Sequence, residues 1–343
     1  MNNKALPARQ TGCPQAGFSM IEMMISVSVG LLVMAAVVYT VTNSGISGRK
    51  QEVKVAGHDE GNLAMVQLAE YLRISGFNRP DSEVVAPDVF ADGSASIFGC
   101  QSGFVDPSQP WDDLRCAPRN PRLSEAIALR FHPGGEGGRN WDCMGNTIID
   151  EETAGNQPAA NNTSSTQNNN STVIVPGALV FNEVQEVFYV KTSGTASGNP
   201  GLYCRSNTVP GKEQLIADNV DQFRLTYGLA PIDRQAQAEN KPFDPPVLEG
   251  RTAMYRNASQ LDRNCTPGEM PDNSWCAVNS VQLCLVMRSQ DNVNEEANTP
   301  YVDCNGRVQQ VNDRRLRQAF TMTVAVRNKV TEGAAGQTGA ATP

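Results

Sequence analysis

The sequence predicts an α+β protein: one long N-terminal helix, apolar through its first half, followed by a β-rich head of antiparallel sheet with disulfides. Three observations carry this prediction. Residues 18–41 form a long apolar run with a single charge. A helical stripe of apolar residues resumes at 61–77, after which short strand-like runs alternate with turn residues. Of nine cysteines, all but Cys13 lie between Cys100 and Cys304, with neither CxxC pairs nor clustered histidines.

The apolar run from Phe18 to Val41, as a helix, extends about 36 Å at about 1.5 Å per residue, enough to cross a bilayer core of roughly 30 Å. A cleavable secretory signal would have a shorter apolar core and a small-x-small site after it. Cys13 has only polar residues and Pro14 around it, which excludes a lipoprotein reading.

Glu22 is the exception within this run. A carboxylate in a membrane helix costs on the order of 2.5 to 3.5 kcal/mol on insertion scales, so it calls for a partner. No Lys, Arg or His lies between Arg9 and Arg49. A backbone cation remains: cleavage after Gly17 would give Phe18 a free α-amino group one helical turn before Glu22. The two charges could then meet within one chain or across to a neighbouring copy. Glu22 in a first turn also suits the positive end of the helix dipole.

Gly17, Phe18 and Glu22, with the apolar run behind them, resemble the processing site of type IV prepilins. The resemblance implies that a prepilin peptidase cleaves between Gly17 and Phe18 and methylates the new amine of Phe18, and that Glu22 pairs with the amine of an adjacent subunit during assembly. The competing reading is an uncleaved single-span anchor. The leader's basic residues, Lys4 and Arg9, stand further from Gly17 than in many prepilins.

Both are cations and the leader holds no acid, so the rest of the chain is two units more negative than the whole, at −8. That acidity gives no electrostatic reason to expect nucleic-acid binding. Basic residues flank the apolar run on both sides, so charge alone leaves its orientation open.

The eight cysteines left after the leader are Cys100, Cys116, Cys143, Cys204, Cys265, Cys276, Cys284 and Cys304. Such a set points to a disulfide-bonded domain outside the cytoplasm. Eight cysteines allow 105 connectivities. Cys265 with Cys276 and Cys284 with Cys304 are the simplest pairings by nearness. Zinc, the rival, needs tetrahedral sets at short spacings.

Further along, the two glycines of residues 42–48 (TNSGISG) predict a bend or local melting of the helix. Met65, Leu68, Ala69 and Leu72 then recur at helical spacing, a stripe suited to packing on the chain's own sheet. Gly76 and Pro80 end the helix. Strands are predicted at 126–131, 173–181, 186–190, 222–229, 281–287 and 320–326. The stretch 153–171 has no apolar pattern and reads as a mobile loop, and 230–250 is a second polar, proline-bearing loop. No internal repeat is evident. The expected division is a leader at 1–17, a helix at 18–76 with its membrane part at about 18–41, a head at 77–330 and a flexible tail at 331–343.

No GxSxG, HExxH or Walker-type glycine loop appears, and the histidines, His58 and His132, form no constellation. An enzyme is therefore not expected, nor a cofactor or metal. The segment DNVNEE (291–296) lacks the calcium-loop glycine and reads as a solvated acidic loop. RRLR (314–317) reads as an exposed strand flank.

The segments LAEYLRISGF, ALRFHPGG, WDCMGN, GLYC, QLIADNVDQFRLTYG, VQLCLVMRS and RRLRQAFTMTVAVRN are similar, in this order, to the PilW family of minor pilins. The resemblance implies a low-abundance subunit of a type IV pilus that primes assembly and joins the tip complex. It implies the prepilin peptidase, other minor pilins and the major pilin as partners, and a large tip adhesin for display. It also implies the inner membrane, with a periplasmic head, before assembly, and the cell surface afterwards. The alternatives are a J-type pseudopilin of type II secretion and, in a different class, an uncleaved membrane-anchored periplasmic enzyme or binding protein.

Overall fold

The structure is a computed structural model, and it describes residues 17–77, 95–120, 123–134, 139–149, 179–192, 198–232, 251–266, 269–294 and 296–326. Cys13, the leader up to residue 16, the 153–171 segment, residues 233–250, Pro80 and the 331–343 tail lie outside the described residues. The chain divides after Glu52 into two units.

Helix α1 spans Met20–Ile74, 55 residues. In the first unit its apolar residues from Met20 to Val41 are exposed on every side. A helix apolar all round is built for hydrocarbon rather than for a soluble surface. Its hydroxyls are turned inward onto the backbone: Ser26 donates to the Glu22 carbonyl at 2.6 Å, Ser28 to Ile25 at 2.9 Å, and Thr40 to Ala36 at 2.8 Å. Each is thus satisfied without water. The predicted melting at TNSGISG does not occur, because the helix continues through Gly45 and Gly48. Two glycines cost only about 1 kcal/mol each relative to alanine, too little to break a helix extended on both sides.

In the second unit the helix buries Ala64, Met65, Leu68, Ala69, Tyr71 and Leu72, which includes the whole predicted stripe. It ends where Gly76 takes a positive φ of 76° and donates its N–H to the Arg130 carbonyl at 2.9 Å.

Thirteen strands, β1 to β13 in chain order, follow among the described residues. The larger sheet runs β1 (Ile97–Cys100), β2 (Ala126–Phe131), β5 (Val184–Lys191), β6 (Gly201–Ser206) and β7 (Gln214–Ala217), with every neighbouring pair antiparallel. The second sheet runs β13 (Arg315–Ala325), β10 (Val278–Asn292), β8 (Val220–Leu229) and β9 (Met254–Arg256), again antiparallel. A short hairpin pairs β11 (Pro300–Val302) with β12 (Val308–Gln310). A parallel two-residue pair joins β3 (Ile148–Ile149) to β4 (Leu179–Val180). Of the predicted strand at 173–181 only β4 is seen, and residues 173–178 lie outside the described residues.

Helix stripe and both sheets meet in one apolar core that includes Leu68, Leu72, Leu129, Phe188, Phe223 and Leu283. The helix approaches β13 closely at Gly61, where a Cβ would stand 2.5 Å from the Phe320 ring. The two sheets are stitched together in front of β2. There the Glu125 N–H donates to the Phe223 carbonyl at 2.9 Å, and the Glu125 carboxyl accepts the Leu225 N–H at 2.7 Å.

All eight cysteines are paired, as Cys100–Cys116, Cys143–Cys204, Cys265–Cys276 and Cys284–Cys304. The last two are the pairings that sequence nearness suggests. A small internal repeat, missed in the sequence, explains two of the four. Asp142-Cys143-Met144-Gly145-Asn146 and Asp303-Cys304-Asn305-Gly306-Arg307 are the same turn. Each aspartate accepts the backbone N–H groups two and four residues on, and each glycine takes a positive φ, 82° and 72°. Each turn then bonds its cysteine to a central strand, β6 or β10.

Candidate functional site

The predicted N-terminal motif lies at the free end of α1. Gly17 precedes the helix, with no atom of the described residues within 4 Å of where a side chain would begin. Phe18 is 84% exposed. The Met23 N–H donates to the Ser19 carbonyl at 3.1 Å and closes the first turn, in which Glu22 is the acidic residue. Glu22 thus stands in the first turn, at the positive end of the helix dipole.

A second polar assembly, which sequence reasoning passed over, joins the end of α1 to the larger sheet. The Arg139 guanidinium lies 3.8 Å over the Tyr71 ring and 3.6 Å from the Glu70 carboxylate. Tyr71 donates its hydroxyl to the Asp142 carbonyl at 3.3 Å, and Thr208 donates to the Asp142 carboxylate. Beneath them Glu186 is completely buried. One of its oxygens accepts the Cys143 N–H at 2.7 Å, and the other has no hydrogen-bond partner among the described residues. Burial pushes the Glu186 carboxyl up to about 8, against the pull of Arg139 and that N–H bond. Burial likewise raises the Glu125 carboxyl to about 7 and holds the Tyr71 hydroxyl well above its ordinary value. A signal for Glu186 was present in the sequence: in EVFYV it shares a strand face with Phe188, which placed a carboxylate on the inward side.

The segment RRLR departs from its predicted role as an exposed flank. Arg315 and Arg317 open β13, and the Arg317 side chain is only 5% exposed. It is paired with Asp221 at 2.6 Å and Asp313 at 2.7 Å, and Asp221 also binds Arg288 at 3.1 Å. The Arg317 guanidinium thus reaches Asp221 on β8, while that of Arg315 donates to the Asn199 side-chain oxygen at 2.9 Å. DNVNEE also begins as strand rather than loop, since Asp291 and Asn292 end β10 and Asn292 pairs with Arg315. Backbone N–H groups of Val293 and Asn294 go to the Arg314 carbonyl.

Each histidine has a hydrogen-bonding partner among the described residues. His58 is exposed on α1 and hydrogen-bonded to Asn62 at 2.9 Å, and His132 contacts the Asn182 carbonyl at 2.5 Å. A cavity of about 140 Å³ is walled by Phe98, Trp111 and Trp275, with the Arg263 guanidinium 3.6 Å over Phe98. Cys143, Glu186 and Cys204 place ligand-type atoms within 4.8 Å of one another, but the two sulfurs are bonded together, which removes the thiolates a metal would need.

Comparison with known proteins agrees with the geometry at both ends of the chain. The family described as Type IV pilus-assembly protein W (PilW) matches residues 187–328, from β5 through β13. The prokaryotic N-terminal methylation motif matches residues 13–38. No curated protein matches the sequence. Among solved structures, a type IV-like pilin from Thermus thermophilus is similar at 12% identity and a TM-score of 0.33, over 79% of this chain and 95% of that one. One chain thus combines an apolar N-terminal helix, a match to the N-terminal methylation motif and, over its disulfide-bonded sheets, a match to the PilW family.

Proposed function

We propose that this chain is a minor pilin, made as a prepilin and incorporated into the tip complex of a type IV pilus, where it primes assembly. The single observation that carries the reading is the coincidence of the methylation motif at 13–38 with the PilW domain at 187–328 in one chain. Prepilin peptidase cleaves after Gly17 and methylates Phe18. The helix from Phe18 to about Val41 holds the subunit in the inner membrane, with the sheet domain in the periplasm, until assembly moves it into the pilus. The exposed apolar surface of that helix then finds its second environment among the helices of other minor pilins and the major pilin. Glu22 gives the transfer its register. Buried among apolar helices, a carboxylate is costly unless paired, and the methylated amine of a neighbouring Phe18 is the cation that the sequence supplies. The sheet domain faces outward and contributes to display of a tip adhesin.

Intact mass and the N-terminal peptide, taken from membranes with and without prepilin peptidase, test this. A chain starting at methylated Phe18 only when the peptidase is present is the expected result, and a chain starting near Met1 in both would return the protein to the anchored class. Gly17→Ala is expected to block maturation. Glu22→Ala is expected to mature normally but to be lost from sheared pili; normal incorporation of that variant would sink the pairing argument.

A further inference from the structure

The Cys143–Cys204 disulfide differs from the other three in what surrounds it. Glu186 places a carboxyl oxygen within 4.8 Å of both sulfurs, and among the described residues no other disulfide has such a neighbour. Glu186 is inaccessible to solvent, Cys204 is fully buried and Cys143 retains 7% exposure. One Glu186 oxygen is held by the Cys143 N–H, so the carboxyl is fixed to the turn that carries the sulfur, while the other oxygen has no hydrogen-bond partner among the described residues. Of the charged groups around it, Arg139 favours the carboxylate and Asp142 opposes it, while Tyr71 and Glu70 face the Arg139 guanidinium.

We propose that Glu186 is the proton-transfer group of the Cys143–Cys204 pair, and that this pair exchanges with external dithiols and disulfides while Cys265–Cys276 and Cys284–Cys304 stay structural. In the opening direction a thiolate of an external dithiol attacks Sγ of Cys143, the residue of the pair that retains exposure. A new mixed disulfide forms as the Cys143–Cys204 bond breaks. The electron pair leaves on Cys204 Sγ, which takes the proton held by Glu186, and the negative charge passes to the carboxylate beside Arg139. The second external thiol then displaces Cys143, leaving the protein with two thiols, the external reagent oxidised to its disulfide, and Glu186 reprotonated from solvent. Closure runs the same steps backwards, with an external disulfide as the oxidant and Glu186 accepting the Cys204 proton. Without the carboxyl, the buried leaving group is a bare thiolate in an apolar site, which desolvation disfavours. A positioned proton donor contributes about 10²- to 10⁴-fold to such a step.

The test is native-state reduction of the full chain in detergent by dithiothreitol from pH 6 to 9, with alkylation and peptide mapping of each pair over time. In the wild-type chain Cys143–Cys204 is expected to open ahead of Cys265–Cys276 and Cys284–Cys304. Relative to the thiolate fraction of the reagent, its rate should fall as pH rises through the Glu186 titration. Glu186→Gln, which keeps the shape and the bond from the Cys143 N–H, is expected to open that pair at least ten-fold more slowly and without that pH dependence. Equal rates for all four pairs in the wild type, or an unchanged rate and pH profile in Glu186→Gln, would overturn the proposal. The wild-type comparison stands even if the variant does not fold.

Discussion

Raising the pH should loosen this protein between about pH 5 and pH 8, and Glu186 supplies the largest part. The ordinary value of a glutamate carboxyl is 4.5, and burial raises that of Glu186 to about 8. In this window the folded state keeps a proton that the unfolded state has released. Stability therefore falls with rising pH, at up to about 1.4 kcal/mol per unit for one group. The span from 4.5 to 8 sets a ceiling of roughly 5 kcal/mol, which relaxation around a buried carboxylate reduces to an expected loss of about 2–3 kcal/mol. Glu125, raised to about 7, acts in the same direction. Asp106, Asp303 and Asp313 are held below their ordinary value by hydrogen bonds, so the stability they contribute is lost only in acid, outside this window. The assay is guanidinium unfolding of the oxidised full chain in non-ionic detergent at pH 5, 6, 7 and 8, read from Trp fluorescence, since Trp111 and Trp275 are buried. Glu186→Gln should match the wild type at pH 5, exceed it at pH 8 and lose most of the slope. A wild-type stability that rises from pH 5 to pH 8, or a slope unchanged in Glu186→Gln, would refute the reasoning.

Enlarging Gly61 should be costly, because a Cβ there meets the Phe320 ring at 2.5 Å. Gly61→Val is expected to lose about 1–3 kcal/mol, partly recovered by pairing it with Phe320→Leu in a double-mutant cycle on thermal unfolding. Arg317→Met leaves Asp313 without its bidentate partner and Asp221 with Arg288 alone, and should cost about 3–5 kcal/mol in denaturant unfolding, with Arg317→Lys recovering only part. Gly145→Ala and Gly306→Ala meet no atoms within 4 Å, so any loss is purely one of backbone conformation. About 1–2 kcal/mol each is expected, and a smaller loss for the asparagine variants would confirm the left-handed turn.

Periodicity made the helix readable. The alternating runs gave β2 to the residue and the centres of β5, β8, β10 and β13, because an inward face repeats every second residue whatever lies opposite it. The strands at Ile97–Cys100, Gly201–Ser206 and Gln214–Ala217 escaped. They are short, and their pairing partners are up to a few dozen residues away, so no local pattern marks them. Arg317 was misread for a related reason: its charge predicts solvent, and only the arrival of Asp221 from β8 makes burial tolerable.

The N-terminal chemistry proposed for this protein rests on its sequence by itself. Gly17, Phe18, Glu22 and the apolar run act through their own spacing along one helix, and a helix needs only local hydrogen bonds to place them. Tertiary structure alone decided the Cys100–Cys116 and Cys143–Cys204 pairings, the burial of Glu186 and the pairing of Arg317. Each depends on which distant strands come to lie side by side, and the free energy that selects those pairings belongs to a shared core rather than to any segment of the chain.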